Sequence, residues 1–259
     1  SLYSLLFPSP HLSSSGSMKW YFALLIVGLL AGLSSAQEKE GSNNDPCAEK
    51  KCGVGYECDL DEDEKASCVC IRRCEHDTIP LQICTTQNVT YDSECDFHRQ
   101  QCLCNTRNEE CLDSSVRGAK VDYFGACKEL VQCTSEEMKE FPVRMREWLF
   151  LVMEELDRRN DLTGKAHDWV EEAKRMGEHK WVLPVIWKFC DLDVSHNRDI
   201  DWDELFPITA PLKPMEHCTV SFLKGCDSNN NGNISLDEWG VCLGLSKDEI
   251  DDRCYELSN

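Results

Sequence analysis

The sequence predicts two unlike parts: a small, disulfide-rich β-hairpin region, and after it an α-helical domain carrying a pair of metal-binding loops. Three observations predict this. Thirteen of the eighteen cysteines fall within the 87 residues from Cys47 to Cys133, and only five lie beyond. Apolar residues recur at helical steps only after that point. Two twelve-residue stretches of the second part carry oxygen-bearing side chains at the spacing a hard cation requires.

Composition bounds the function. With 47 acidic against 27 basic side chains, the formal charge is −20. Binding to nucleic acid needs clustered Lys and Arg to displace counterions from phosphates, so this chain is a poor candidate for it. The cysteine count is even, which allows every thiol to pair and points to an oxidising, extracellular setting. The histidines have neither a nucleophile nor metal-ligand spacing around them, so no catalytic residues are expected and the protein is read as no enzyme.

The N-terminal part reads as processing signals. Residues 1–17 resemble translated leader. Met18-Lys19, the apolar run Trp20–Leu33 and the small residues Ser34-Ser35-Ala36 over residues 18–36 read as a signal peptide cleaved after Ala36. That run is too short to span a bilayer, and no later segment is apolar enough. A short polar segment, 37–46, leads into the first cysteine.

From Cys47 to about residue 132, apolar runs are few and cysteine spacings short, so crosslinks rather than a large core must hold the fold. The shift in cysteine density sets a boundary near Leu130–Thr134, with the helical domain spanning 133–259. Thr134 and Glu137 form a capping box. Phe141, Met145, Trp148, Leu149, Val152 and Leu156 then recur at steps of three and four, predicting a helix of about twenty residues with Pro142 tolerated in its first turns. Further helices are expected around Asp168–Met176, Trp181–Phe189, Met215–Leu223 and Ser246–Cys254, the last with Ser246 and Glu249 as a capping box. Pro207, Pro211 and Pro214 predict a short helix followed by an extended linker.

The loops carry the chemistry. The stretch from Asp227 to Glu238 offers Asp227, Asn229, Asn231, Asn233, Ser235 and Glu238 at positions one, three, five, seven, nine and twelve. Gly232 stands at position six, where the chain doubles back, and Ile234 at eight. This is the EF-hand pattern: six to eight oxygens for Ca²⁺, the seventh position through its carbonyl and the last residue giving two oxygens. Asp193, Ser195, Asn197, Asp199, Asp201 and Glu204 repeat it upstream, with Arg198 in place of the glycine and Ile200 placed to pair with Ile234. A non-glycine residue in the left-handed region costs about 1 kcal/mol or more, which lowers affinity without forbidding binding. The first loop has three ligand carboxylates, Asp193, Asp201 and Glu204; the second has Asp227 and Glu238. Cys226 and Cys242 bracket the second loop and are expected to bridge across it. Two bound Ca²⁺, permanently loaded outside cells and stabilising the native state by mass action, are expected.

Cys70, Cys74, Cys84, Cys95, Cys102 and Cys127, with Val89-Thr90-Tyr91 before Cys95, are spaced like a Kazal module. Cys47, Cys52, Cys58 and Cys68 before them resemble the EGF-like hairpin that completes a follistatin-like domain. A follistatin-like domain (EGF-like 47–69, Kazal-like 70–132) followed by a helical domain with two EF-hands resembles the SPARC (osteonectin) family of secreted matrix proteins, as a divergent, invertebrate-type member with a short N-terminal segment. The stretches 141–149 and 210–218 strengthen the match. The resemblance implies the bridges Cys47–Cys58, Cys52–Cys68, Cys70–Cys102, Cys74–Cys95, Cys84–Cys127 and Cys133–Cys218. Four cysteines are extra to it. Spacing suggests Cys104–Cys111, and the remaining pair would be Cys190–Cys254.

The resemblance also implies a secreted glycoprotein of the extracellular matrix, including basement membrane, that binds collagen as a monomer. The matching contact positions are Arg144, Leu212, Met215 and Glu216, while Leu151 replaces a contacting asparagine of the family. Asn88-Val89-Thr90 is a glycosylation sequon at Asn88. Growth-factor binding by the follistatin-like part is an alternative. So is Kazal-type protease inhibition, though the loop after Cys74 reads Glu75-His76-Asp77, without an obvious specificity residue.

Overall fold

A computed structural model describes residues 45–75 and 81–257. The leader, the signal peptide, nearly all of the short polar segment, and His76-Asp77 of the Kazal loop lie outside the described residues. The chain divides into two compact units, the first ending at Ile71 and the second beginning at Arg72. The change in cysteine density near residues 130–134 therefore falls inside the second unit, not at its edge.

The first unit is a hairpin. Strands β1 (Tyr56–Leu60) and β2 (Ala66–Cys70) pair antiparallel, with Cys58 opposite Cys68 and Leu60 opposite Ala66. Asp61 closes the turn: its Oδ1 accepts from the Asp63 and Lys65 amides, and Glu64 takes a φ of 58°. No large apolar side chain is buried among the described residues of this unit, so the bridges Cys47–Cys58 and Cys52–Cys68 carry the load a core would otherwise bear.

The second unit opens with a three-stranded sheet, order β4-β3-β5: β3 (Ile83–Thr85), β4 (Thr90–Tyr91) and β5 (Val121–Phe124). Helix α1 (Glu94–Asn105), capped by Ser93, packs Phe97 and Cys104 onto Ile83, Val116 and Ala119. Bridges Cys74–Cys95, Cys84–Cys127 and Cys104–Cys111 tie this small core. Asn88 is exposed in the β3–β4 turn.

Helix α2 (Ser135–Arg158) starts on the expected capping box and buries Phe141, Met145, Leu149 and Val152, together with Phe150 and Met153. Pro142 lies past the first turn, so the helix runs through a lost backbone bond and is held there by its buried face. Helices α3 (Lys165–Arg175) and α4 (Val182–Leu192) follow; every residue of α4 from Val182 to Phe189 is buried, which makes it the axis of this part. Then come α5 (Phe206–Leu212), α6 (Thr219–Cys226) and α7 (Leu236–Cys242).

Two expectations are corrected. The proline-rich segment does form a short helix, α5, which holds Pro207 and Pro211, but a turn and not an extended linker follows it, with the Met215 and Glu216 amides both bonded to the Leu212 carbonyl. Pro207 fits because an amide in the first turn has no acceptor within the helix, while Pro211 forgoes one backbone bond just before the helix ends at Leu212. Residues 246–254 form no α-helix. Ser246 and Glu249 bond each other as a cap would, yet only a 3-10 turn, Cys254–Leu257, follows. Four nearby side chains anchor on four different partners: Ile250 against Gly240, Asp252 on Arg198, Arg253 over the Trp169 ring, and Cys254 to Cys190. Residues on a helix that sit 100° apart could not reach them all.

Within the second unit, the sheet is fastened to the helices. Lys213 Nζ lies 2.6 and 2.7 Å from the Asp122 carboxylate, Phe124 meets Phe206 edge-on at 6.0 Å, and Lys120 pairs with Asp203 at 2.8 Å.

Candidate metal centre

Two helix–loop–helix units face each other. Loop one (193–204) links α4 to α5 and loop two (227–238) links α6 to α7. Each contributes one short strand, β6 (Asp199–Ile200) and β7 (Ile234–Ser235), paired antiparallel with Ile200 opposite Ile234. Both isoleucines are buried, so the pair locks the loops back to back. Trp239, just past loop two, is fully buried and donates from Nε1 to the Val185 carbonyl at 2.9 Å, fixing α7 against α4.

The first residue of each loop organises it. Asp193 Oδ1 accepts from the Asn197 amide and Oδ2 from the Arg198 amide, both at 3.0 Å. Asp227 does the same with Asn231 at 3.1 Å and Gly232 at 2.9 Å. Position six is left-handed in both loops, with φ of 68° at Arg198 and 90° at Gly232. The last residue closes each loop. Glu204 Oε1 accepts from the Ser195 amide and Oε2 from that of Asp201. Glu238 Oε1 accepts from Ser228 and Asn229, and Oε2 from the Ser235 amide and hydroxyl. Asn197 and Asn231 each turn an Oδ1 to the amide two residues on. In each loop the side chains at the first, fifth and twelfth positions thus accept hydrogen bonds from the loop's own amides, which fixes the course of the loop.

Electrostatics reinforce this. Burial pushes the Glu238 carboxyl up, but the hydrogen bonds from Ser235, Ser228 and Asn229 outweigh it and hold the group at about 2. A carboxylate that stays ionised suits a cation ligand. Arg198 has its pKa raised, first by its hydrogen bond to Asp252 against opposing burial, then by Asp193. Cys226 and Cys242 are joined across loop two, as Cys190 is to Cys254 and Cys133 to Cys218. Cys70 and Cys102 are also oxidised, and no cysteine is free. Glu137 lies close to the sulfurs of Cys133 and Cys218, but a disulfide offers no thiolate and this trio is no metal site.

Of the four candidate contact positions on the helical part, the structure brings together Arg144 and Glu216, whose Nη2 and Oε1 are 3.1 Å apart. Met215 beside them is 56% exposed, whereas Leu212 is only 7% exposed and offers a partner little area. Sequence reasoning missed Ser228 as a donor to Glu238, and missed Asp252 as the partner of Arg198. Nothing in the spacing of residues 54 apart signals that second pair.

The model of the family "Secreted protein acidic and rich in cysteine Ca binding region" matches residues 130–242, from just before α2 to the end of α7 and through both loops. SPARC of Caenorhabditis elegans is 44% identical over 234 residues, covering 87% of this chain and 88% of that protein. The chain belongs to the SPARC family. SPARC of Sus scrofa is 34% identical over 257 residues, covering 85% of this chain and 80% of its own, and SPARC-like protein 1 of Rattus norvegicus is 33% identical over 244 residues, covering 82% and 37%. As a SPARC-family member the chain carries the calcium-binding region, next to a disulfide-rich small β region. Its eighteen bonded cysteines, with no helix among the described residues long and apolar enough to cross a membrane, fit an extracellular protein.

Proposed function

We propose that this protein is a secreted, non-enzymatic glycoprotein of the extracellular matrix, carrying an EF-hand pair that holds two Ca²⁺ and binding collagen through the helical surface that the pair stabilises. Loop one supplies Asp193, Ser195, Asn197, the Asp199 carbonyl, Asp201 and Glu204; loop two supplies Asp227, Asn229, Asn231, the Asn233 carbonyl, Ser235 and Glu238. The follistatin-like part, with its Kazal-like section, carries a glycan at the exposed Asn88.

One observation carries the reading: the segment from Leu205 to Cys226, which holds Leu212, Met215 and Glu216, is strung between the last residue of loop one and the first of loop two. Calcium that fixes both loops fixes both ends of that segment, and so the position of Glu216 beside Arg144. Exposed Met215 offers an apolar contact, the Arg144–Glu216 pair offers charged and hydrogen-bonding groups, and Leu212 supports the segment from beneath. The bound metal contributes charge neutralisation for the loop carboxylates; the orientation of the collagen surface comes from this chain's own α2, α5 and α6.

Solid-phase binding to fibrillar collagen tests the reading. Binding should require calcium, vanish in chelator, and fall about tenfold or more, about 1.4 kcal/mol, with Arg144→Ala or Met215→Ala, whereas Leu112→Ala, at an exposed site on the small β part, changes nothing. Binding that persists in chelator, or that ignores both α-domain variants, would reverse it.

A further inference from the structure

Position six separates the two loops. In both, the amide of this residue donates to the first aspartate, at 3.0 Å from Arg198 and 2.9 Å from Gly232, so the backbone of Arg198 does what the glycine does. Its side chain is an addition. Arg198 Nη1 stands 3.4 Å from Asp193 Oδ2, and Nε stands 2.6 Å from Asp252 Oδ2 on the C-terminal segment. The Asp193 side chain is 1% exposed, and a buried carboxylate is costly unless a cation or strong donors face it. Loop one also carries the carboxylates of Asp201 and Glu204. Loop two, with fewer carboxylates, has no such cation.

We propose that Arg198 is an internal counter-ion of loop one: it stabilises the calcium-free loop and competes with calcium for Asp193, with Asp252 holding and partly neutralising it. The inference rests on the reading of loop one as a calcium site. Calcium brings two positive charges to the carboxylate that the guanidinium already faces, so like charges crowd there and affinity falls. The carboxylate of Asp252 offsets that repulsion. It belongs to the segment that Cys254 bridges to Cys190, three residues before the loop, so the C-terminal segment sets the affinity of loop one.

Calorimetric calcium titration of the full chain with loop two silenced by Glu238→Gln, together with thermal unfolding in chelator and in calcium, decides the matter. Arg198→Gln should tighten loop one about fivefold, the scale of one unit charge at ~4 Å in water-like surroundings, and lower the unfolding temperature in chelator more than in calcium. Arg198→Gly should tighten calcium equally and recover stability in both conditions, because it also removes the left-handed strain. Asp252→Asn should weaken loop one about twofold when Arg198 is present, and leave it unchanged beside Arg198→Gln. Unchanged or weaker affinity in Arg198→Gln, or equal loss of stability with and without calcium, overturns the proposal while leaving loop one a calcium site. No calcium bound to loop one in either the parent or Arg198→Gln overturns both.

Discussion

Loop one and loop two solve one geometric problem with different means. Loop two relies on a glycine at its hinge, a disulfide across its base, and a glutamate gripped by Ser228, Asn229 and Ser235. Loop one relies on charge: the carboxylates of Asp193, Asp201 and Glu204, an arginine at the hinge and an aspartate reaching in from the C-terminal segment. The contrast teaches that position six need not be glycine when the side chain there has its own task. It also teaches that a crosslink and a charge pair are two different ways of holding a loop of this length in shape.

The largest effect should come from breaking the closing glutamates. Glu238→Gln removes the negative charge and one of the two carboxylate oxygens while leaving an acceptor for the α7 capping box, so loop two should lose calcium affinity tenfold or more, about 1.4 kcal/mol or more, while loop one keeps its own within about twofold. Glu204→Gln should reverse the pattern. Calorimetric titration of both variants checks this, and equal loss at both loops from either change would mean that the β6–β7 ladder couples them more strongly than each glutamate serves its own loop.

Removing the bridge comes next. Replacing Cys226 and Cys242 together by Ser should cost up to about 3 kcal/mol of stability for a closed segment of 16 residues and weaken loop two several-fold. Loop one, whose Cys190–Cys254 bridge is untouched, should shift little. Denaturant unfolding and titration on the same samples measure both quantities; equal weakening of the two loops removes the contrast.

The smallest effect concerns the frame that holds the loops. The Thr134 amide and hydroxyl, and then His217, hold Glu137 at about 2 against an ordinary 4.5. Its contribution to stability is therefore fully present above pH 4.5 and is lost as the pH falls through about 2. His167 is raised above 6.5 by its hydrogen bond to Asp157, so that contribution is present below 6.5 and is lost as the pH rises through the folded value. His167 is exposed and Glu137 half-buried at the surface, so unfolding curves from pH 2 to 8 should show small slopes that Glu137→Gln and His167→Gln each remove in their own window.

Much of this was legible along the chain because it is local. A capping box needs residues three apart, and a metal loop twelve in a row; Thr134–Glu137, Asp227–Glu238 and the face of α2 announce themselves by spacing alone. The buried Ile200–Ile234 pair was legible too, since each isoleucine stands at the same position of its loop. The C-terminal segment misled for the same reason: Ser246 and Glu249 do make the local bonds of a cap, but no local rule says that Asp252 and Arg253 will each be drawn to a different partner.

Sequence by itself determined the oxidised cysteine-rich part, the helical part and two candidate cation loops, because each follows from residue chemistry over a few positions. Only the tertiary structure decided that Arg198 faces both Asp193 and Asp252, that Lys213 and Phe206 fasten the helices to β5, and that Leu212 is buried while Met215 is open. Those outcomes depend on which distant surfaces meet, and chain spacing carries no record of distance once dozens of residues intervene.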